Sequence, residues 1–465
     1  MTPEATTHSF DPTILREYDI RGRLGETLTE HDALMLGRAF GTMVKRRGGH
    51  KVAIGYDGRE TSPHFADKLS EGIVSTGLHA ELIGLCPSPM LYYTVKEYGA
   101  DAGVMVTGSH NPPEYNGFKM LFKDGLVYGP LVQELGDIAA KGDFEEGQGH
   151  KTQIDVTSSY VTRLIKDLDC DTDFKIAWDN GNGAGGNVLK DMVEHLPGEH
   201  IILFDEVDGT FPNHHPDPTV DANLADLVDV VKHENCDLGI AFDGDADRIG
   251  VVDEKGNILR CDILMAVYAA SVLKEFPNSA IVADIKCSQV LFDEIERHGG
   301  QPVMWKTGHS LIKSKMAEVK APLAGELSGH IFFADKYYGF DDALYCAIRL
   351  INIIAESGKS LSELTSHLPG LYSTPEIRIE VDEAEKFSKI DQLVSALKTK
   401  ESDSFQVNDI DGARVTTDDG WFLIRASNTQ NAWATRVEAK SEDGLERLKS
   451  MLKKEIENLG YTIEF

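Results

Sequence analysis

Three times along the chain an apolar strand runs into an aspartate. Lys51-Val52-Ala53-Ile54-Gly55 leads to Asp57-Gly58-Arg59, Phe174-Lys175-Ile176-Ala177-Trp178 to Asp179, and Ala280-Ile281-Val282-Ala283 to Asp284. Short apolar strands alternating with helical stretches read as βαβ units, and their recurrence points to tandem copies of one α/β fold. With 465 residues the chain is too long for one core, at roughly 150 residues per domain. Past Pro369 the pattern changes. A strand Ile377–Val381, a helix near Ala384–Leu397, strands around Trp421 and Thr435 and a last helix Gly444–Leu459 describe a smaller α+β unit.

Chemistry gathers in the turns. Thr107-Gly108-Ser109-His110-Asn111-Pro112-Pro113 follows the strand pattern Gly103-Val104-Met105-Val106 and runs on to Asn116-Gly117-Phe118-Lys119. The Gly, Asn and two prolines forbid continuation of the strand, so Ser109 is presented on a tight loop at a strand end. A serine hydroxyl is a poor nucleophile until activated, whereas a phosphoserine is a phosphoryl donor that needs only cations and positioning. Taken alone, the stretch equally describes an ordinary Ser/Asn/Pro turn.

Strand Asp237–Phe242 delivers Asp243, Asp245 and Asp247 at alternate positions, followed by Arg248. Three carboxylates so close repel one another unless they share a hard cation; a solvated acidic turn is the plain alternative. An EF-hand is excluded, because Arg248 stands where that loop requires Gly and a strand precedes it. Magnesium bridging a phosphate suits the set better. Gly325-Glu326-Leu327-Ser328-Gly329-His330 offers a carboxylate, a hydroxyl and an imidazole suited to sugar hydroxyls and to proton transfer near neutral pH. Arg425-Ala426-Ser427-Asn428-Thr429 packs a bidentate cation, two hydroxyls and an amide into a compact phosphate grip, or else a polar turn. Arg21 before Gly22 is either a solvated charge or a phosphate contact. The turn Asn180–Gly186 resembles a dinucleotide loop with imperfect glycine spacing; it reads better as tight helix–strand packing. Thr29 with Asp32 marks a helix start, and Asp143–Gly149 reads as a linker.

A net charge of -30 and the lack of a basic patch exclude general nucleic-acid binding. The longest apolar run, Ile263–Leu273, is too short to span a bilayer, and no secretory signal opens the chain. Six scattered cysteines without a C-x-x-C pair read as reduced thiols of a cytoplasmic protein.

From Arg16-Glu17-Tyr18-Asp19-Ile20-Arg21-Gly22 to Arg425-Ala426-Ser427-Asn428-Thr429, these motifs resemble, in order, those of the α-D-phosphohexomutase superfamily, and within it the phosphomannomutase/phosphoglucomutase branch. The resemblance implies an α/β fold: three tandem similar α/β domains with mixed sheets plus a smaller C-terminal α+β domain around a central cleft. The expected boundaries are 1–152 for the phosphoserine domain, 153–256 for metal binding, 257–369 for sugar recognition and 370–465 for phosphate binding. It further implies that Ser109 as a phosphoserine exchanges its phosphoryl group with a hexose 1- or 6-phosphate through a hexose 1,6-bisphosphate. Asp243, Asp245, Asp247 and the Ser109 phosphate would hold Mg²⁺. Arg248, Lys119 and Arg21 would lie near the transferring group, with Lys119 and His330 as proton carriers. Glu326 and Ser328 would hold sugar hydroxyls, helped by His309, Lys286 and Tyr18. Arg425, Ser427, Asn428 and Thr429 would grip the other phosphate, so that a negative molecule keeps a basic cleft.

Two positions depart from the family pattern. Leu327 replaces Met, a swap of similar volume that leans toward mannose and glucose phosphates, and Gln430-Asn431 replaces Glu-Pro at the exit of the phosphate grip. Partners are expected to be small-molecule sugar phosphates, not nucleic acid or membrane, with the chain a monomer or weak homodimer. Phosphoglucosamine mutase, a phosphatase using Asp243 or Asp245, and a silent sugar-phosphate sensor are the alternatives.

Overall fold

The computed structural model describes residues 7–428 and 430–465. Among these residues the strands form four sheets, and the first three repeat one pattern. In each, the strand that precedes the recurrent aspartate lies between two parallel neighbours. Lys51–Tyr56 pairs with His79–Leu85 and Ala102–Val106. Phe174–Asp179 pairs with Gly198–Leu203 and Leu238–Phe242, and Ala280–Asp284 with Gln301–Trp305 and Leu323–Gly325. The last-named strand of each set then turns back into an antiparallel one: Tyr115–Phe122, Ile249–Asp253 and Ile331–Phe333. The turn between those two strands is therefore the same crossing three times. It carries Ser109 in the first unit, the three aspartates in the second, and Glu326 to His330 in the third. Three separate motifs of the sequence are one structural position.

Local chemistry accounts for the surrounding helices. Glu30–Arg46 begins at Thr29 with a capping box closed by Asp32, with Glu30 and Asp32 in the first turn and Lys45 and Arg46 in the last, an order that suits the helix dipole. Asp143–Gly149 is not a free linker. Arg46 binds Asp143 (2.8 Å) and Glu145 (3.3 Å), and Lys45 Nζ donates to the Glu146 carbonyl at 2.9 Å. Its acidic side chains fasten it to the helix. It then leads into His150–Gln153, which adds to the first sheet beside His79–Leu85.

The last unit is an all-antiparallel sheet, centred on Gly420–Ala426 and Ala432–Ala439, with helices Lys386–Lys398 and Glu442–Asn458 against it. It meets the third unit through a small apolar contact of Trp421 and Leu423 with Ile285. Arg414 donates to the Ile285 and Cys287 carbonyls, both at 2.7 Å. By contrast, one apolar core runs continuously through the first three units. Among the described residues no helix is long and apolar enough to cross a membrane, and all six cysteines are free.

Candidate active site

Ser109 sits at φ +49°, a left-handed conformation that non-glycine residues adopt only when their surroundings enforce it. Asp57 enforces it from one side. Its carboxylate accepts from Thr107 Oγ1 (2.8 Å) and the Gly108 N–H (3.0 Å). The Ser109 hydroxyl then points across to the second unit, donating to Asp243 Oδ2 at 2.8 Å, with His110 Nδ1 3.2 Å away.

The aspartate loop is built to meet it. Asp243 Oδ1 accepts from the N–H groups of Asp247 (3.0 Å) and Arg248 (3.1 Å), which turns Oδ2 toward Ser109. A Cβ on Gly244 would stand 2.4 Å from the Ser109 carbonyl oxygen, so only glycine lets the loops approach. The glycine-rich turn Asn180–Gly186 lies beneath: Ala184 N–H donates to the Gly244 carbonyl at 2.9 Å, and a Cβ on Gly183 would stand 2.9 Å from that oxygen. This motif supports the aspartates; it is not an open nucleotide loop.

Asp243, Asp245 and Asp247 are fully buried and offer ligand atoms all within 4.8 Å of one another. Asp245 Oδ1 and Asp247 Oδ1 make no hydrogen bond among the described residues. Buried, converging and partly unsatisfied carboxylates fit a hard divalent cation. Burial together with Asp245 and Asp247 pushes the Asp243 carboxyl well above the usual range, a penalty that a bound cation removes. Burial acts on Asp245 too, but the Lys119 ammonium, 2.6 Å from its Oδ2, outweighs it and holds that carboxyl low. Lys119 also bonds Asp247 Oδ2. Burial opposes its charge, yet Asp245 and Asp247 prevail and keep the ammonium protonated.

The third unit brings His330. Arg248 Nε donates to His330 Nε2 at 3.0 Å, which places the neutral ring's proton on Nδ1, 2.9 Å from Asp341 Oδ2. His309 stacks on His330 with centroids 5.3 Å apart. Burial, and then Lys313, holds His309 well below the usual imidazole range; burial, and then Arg248, does the same to His110. Glu326 Oε1 accepts from the Gly308 N–H at 2.6 Å, at the start of helix His309–Val319. Lys286 Nζ lies 3.2 Å from Glu376 Oε2. Leu327 packs its side chain against the central core.

From the first unit, Arg21 binds Asp19 Oδ2 (2.7 Å) and Asn111 Oδ1 (2.8 Å). Tyr18 hydroxyl donates to the Thr307 carbonyl at 2.7 Å and accepts from Asn428 Nδ2, so it touches both the third and the last unit. Arg425 Nε donates to Asp411 Oδ2 at 2.8 Å, and that oxygen also takes the Thr307 N–H at 3.0 Å. Gln430 ties down the exit of this loop through its N–H to Ser427 Oγ (3.1 Å) and its carbonyl to Lys386 (3.0 Å). Thr429 lies outside the described residues.

One cavity of about 920 Å³ connects these groups. Tyr18, Arg21, Ser109, Lys119 and Arg248 line it, as do Lys286, His309, Glu326, Ser328 and His330, and finally Arg425, Ser427 and Asn428. The aspartates lie buried behind Ser109 and Lys119. Sequence reasoning missed His215, Asp217 and Arg260, which also face the cavity. It missed Asp341 and Asp411 as well, which hold His330 and Arg425. The run His214-His215-Pro216-Asp217-Pro218 was the available signal for two of them; Asp341 and Asp411 carried none.

The sequence matches the four domains described for phosphoglucomutase/phosphomannomutase. They are the alpha/beta/alpha domains I, II and III over residues 12–146, 158–256 and 260–372, and the C-terminal domain over residues 376–455. It is 42% identical over 452 residues to a phosphomannomutase/phosphoglucomutase of Pseudomonas aeruginosa, covering 97% of each chain. It is 40% identical over 448 residues to a phosphoglucomutase of Neisseria meningitidis, covering 96% of this chain and 97% of that one. A crystal structure of a phosphoglucomutase/phosphomannomutase family protein from Burkholderia thailandensis superposes with a TM-score of 0.92 at 38% identity, over 98% of this chain and all of that one. The chain belongs to the phosphoglucomutase/phosphomannomutase family.

Proposed function

We propose that the chain is a hexose-phosphate mutase in which Ser109, as a phosphoserine, gives its phosphoryl group to one end of a mannose or glucose phosphate and takes one back from the other end. Hexose 1,6-bisphosphate is the intermediate. The observation that carries this reading is Ser109 Oγ at 2.8 Å from Asp243, in a cavity that also holds a separate cationic grip at Arg425 on the last unit. Asp243, Asp245, Asp247 and the Ser109 phosphate would hold Mg²⁺, which when bound neutralises charge on the phosphoryl oxygens.

The chain's own residues do the rest. Lys119 supplies fixed positive charge beside the transferring group, with Arg21 and Arg248 at its approach. His330 Nε2, once Arg248 Nε releases it for the substrate phosphate, takes the proton of the attacking sugar hydroxyl, and Lys119 is the second proton carrier. Glu326 and Ser328 hold sugar hydroxyls, flanked by Tyr18, Lys286 and His309. Arg425, Ser427 and Asn428, with Thr429, hold the phosphate that is not moving. We divide the chain at 152/153, 256/257 and 369/370; the first two cuts fall within a few residues of the last strands of the first and second sheets, His150–Gln153 and Ile258–Leu259. It works on dissolved sugar phosphates in the cytoplasm as a monomer or weak homodimer.

The test is turnover of glucose 1-phosphate and mannose 1-phosphate with a trace of glucose 1,6-bisphosphate, for the parent and for Ser109→Ala. The parent is expected to convert both, and the variant to lose roughly 10³-fold or more; undiminished turnover overturns the assignment. Acid-stable label on Ser109 separates a mutase from a phosphatase that uses Asp243 or Asp245.

A further inference from the structure

We propose that Arg59 is a positioning residue for phosphoryl transfer, holding the Ser109 loop in the conformation that presents the serine; the inference rests on Ser109 being the phosphoryl carrier. A tight loop with a left-handed serine and two prolines cannot satisfy its carbonyls within a sheet, and buried carbonyls need partners. Arg59 meets four of them. One terminal nitrogen donates to the carbonyls of Ser109 (2.8 Å) and Asn111 (2.6 Å), and the other to those of Pro112 (2.7 Å) and Tyr115 (3.0 Å). Its Nε donates to Asp57 Oδ2 at 3.1 Å, the same carboxylate oxygen that takes the loop's donors at Thr107 and Gly108. Asp57 thus takes the Thr107 hydroxyl and the Gly108 N–H, and Arg59 takes the loop's carbonyls. The fit is close: a Cβ on Gly108 would stand 2.4 Å from the guanidinium carbon.

The second unit closes over this clamp. The Phe211 ring lies 5.2 Å from the guanidinium, and a Cβ on Gly209 would stand 2.4 Å from Arg59 Cα, so the Arg59 side chain is only 1% exposed. The consequence is catalytic. Ser109 alternates between a hydroxyl and a dianionic phosphate in every turnover, and the loop must present both at the same place. A displacement of about 1 Å costs about 10²-fold in rate. Lysine cannot substitute, because a point ammonium with three donors does not span four carbonyls as a planar fork does.

Arg59→Lys is therefore expected to lower kcat about 10²-fold and to slow phosphorylation of Ser109 by hexose 1,6-bisphosphate by the same factor. KM for the hexose phosphate should change less than about threefold, since sugar and distal phosphate are held by other units. Circular dichroism and thermal unfolding identify a folded variant. If Arg59→Lys does not fold, Phe211→Ala removes only the ring that covers the guanidinium, and should lower kcat at least about threefold with KM unchanged. A folded Arg59→Lys enzyme with kcat within threefold of the parent overturns the proposal. So does a loss of kcat/KM that lies in KM, or a parent-like Phe211→Ala where Arg59→Lys is unfolded. These results, in a parent that labels on Ser109, leave the mutase assignment standing; a parent that never labels there overturns both.

Discussion

The first and second units make the same strand-to-strand crossing and present opposite chemistry on it. In the first, the crossing offers one hydroxyl, and its backbone is gripped from below by Asp57 and Arg59. In the second, it offers three carboxylates, and its backbone is gripped by one of them, Asp243, and by Ala184 from the glycine-rich turn. The strand-end aspartates differ correspondingly. Asp57 serves its own unit's crossing, whereas Asp179 turns to the imidazole of His214 at 3.0 Å. The shared fold fixes where a group is delivered; a few buried partners decide which group can be delivered there.

The sharpest way to break that contrast is to remove charge from the second crossing. Asp245→Asn should lower turnover by roughly 10³-fold and weaken Mg²⁺ binding measured by calorimetry on the folded protein. Retained metal affinity would deny the second unit its role. Next, the matched substitutions Asp57→Asn and Asp179→Asn should part company. Asp57→Asn is expected to cost about 10²-fold in kcat by loosening the Ser109 loop, while Asp179→Asn stays within about tenfold; equal losses in steady-state kinetics would erase the distinction.

A smaller effect concerns pH. Burial disfavours the His214 cation, but Asp179 outweighs it and raises the imidazole above its ordinary value. A raised folded value stabilises the fold below the unfolded value of about 6.5 and loses that contribution as pH climbs through the folded value. The gap in thermal midpoint between the parent and Asp179→Asn should therefore be widest below about pH 6.5 and narrow as pH rises above it through the raised folded value. Calorimetric scans across that range check it. Smallest of all, Leu327→Met should leave kcat/KM within about threefold for glucose and mannose 1-phosphates, because the side chain packs into the core and the swap conserves volume.

How much of this was legible depended on whether a residue's role was local. The strand–aspartate recurrence and the four chemistry-bearing turns are short-range patterns, and the fold brings the turns together in and directly behind one cavity. That three turns are one crossing was not legible, because antiparallel pairing after a parallel strand leaves no mark in apolar composition. Arg59 reads as an ordinary turn cation until four carbonyls fifty or more positions later close around it. Asp411 is seen only when Arg425 and Thr307 converge on it. The docking of Asp143–Gly149 was hidden for the same reason, since its acids pair with a helix about a hundred residues earlier.

The cavity gathers Arg16, Arg21, Arg248, Arg260, Arg378 and Arg425 inside a molecule of net charge -30. A doubly charged sugar phosphate therefore meets repulsion at long range and attraction only once it has entered. Mobile ions damp fields beyond about 8 Å at physiological strength and reach the sheltered guanidinium groups of Arg21, Arg248 and Arg425 far less. Added salt should quicken capture from very dilute buffer, the reverse of what enzymes that steer their substrates electrostatically display.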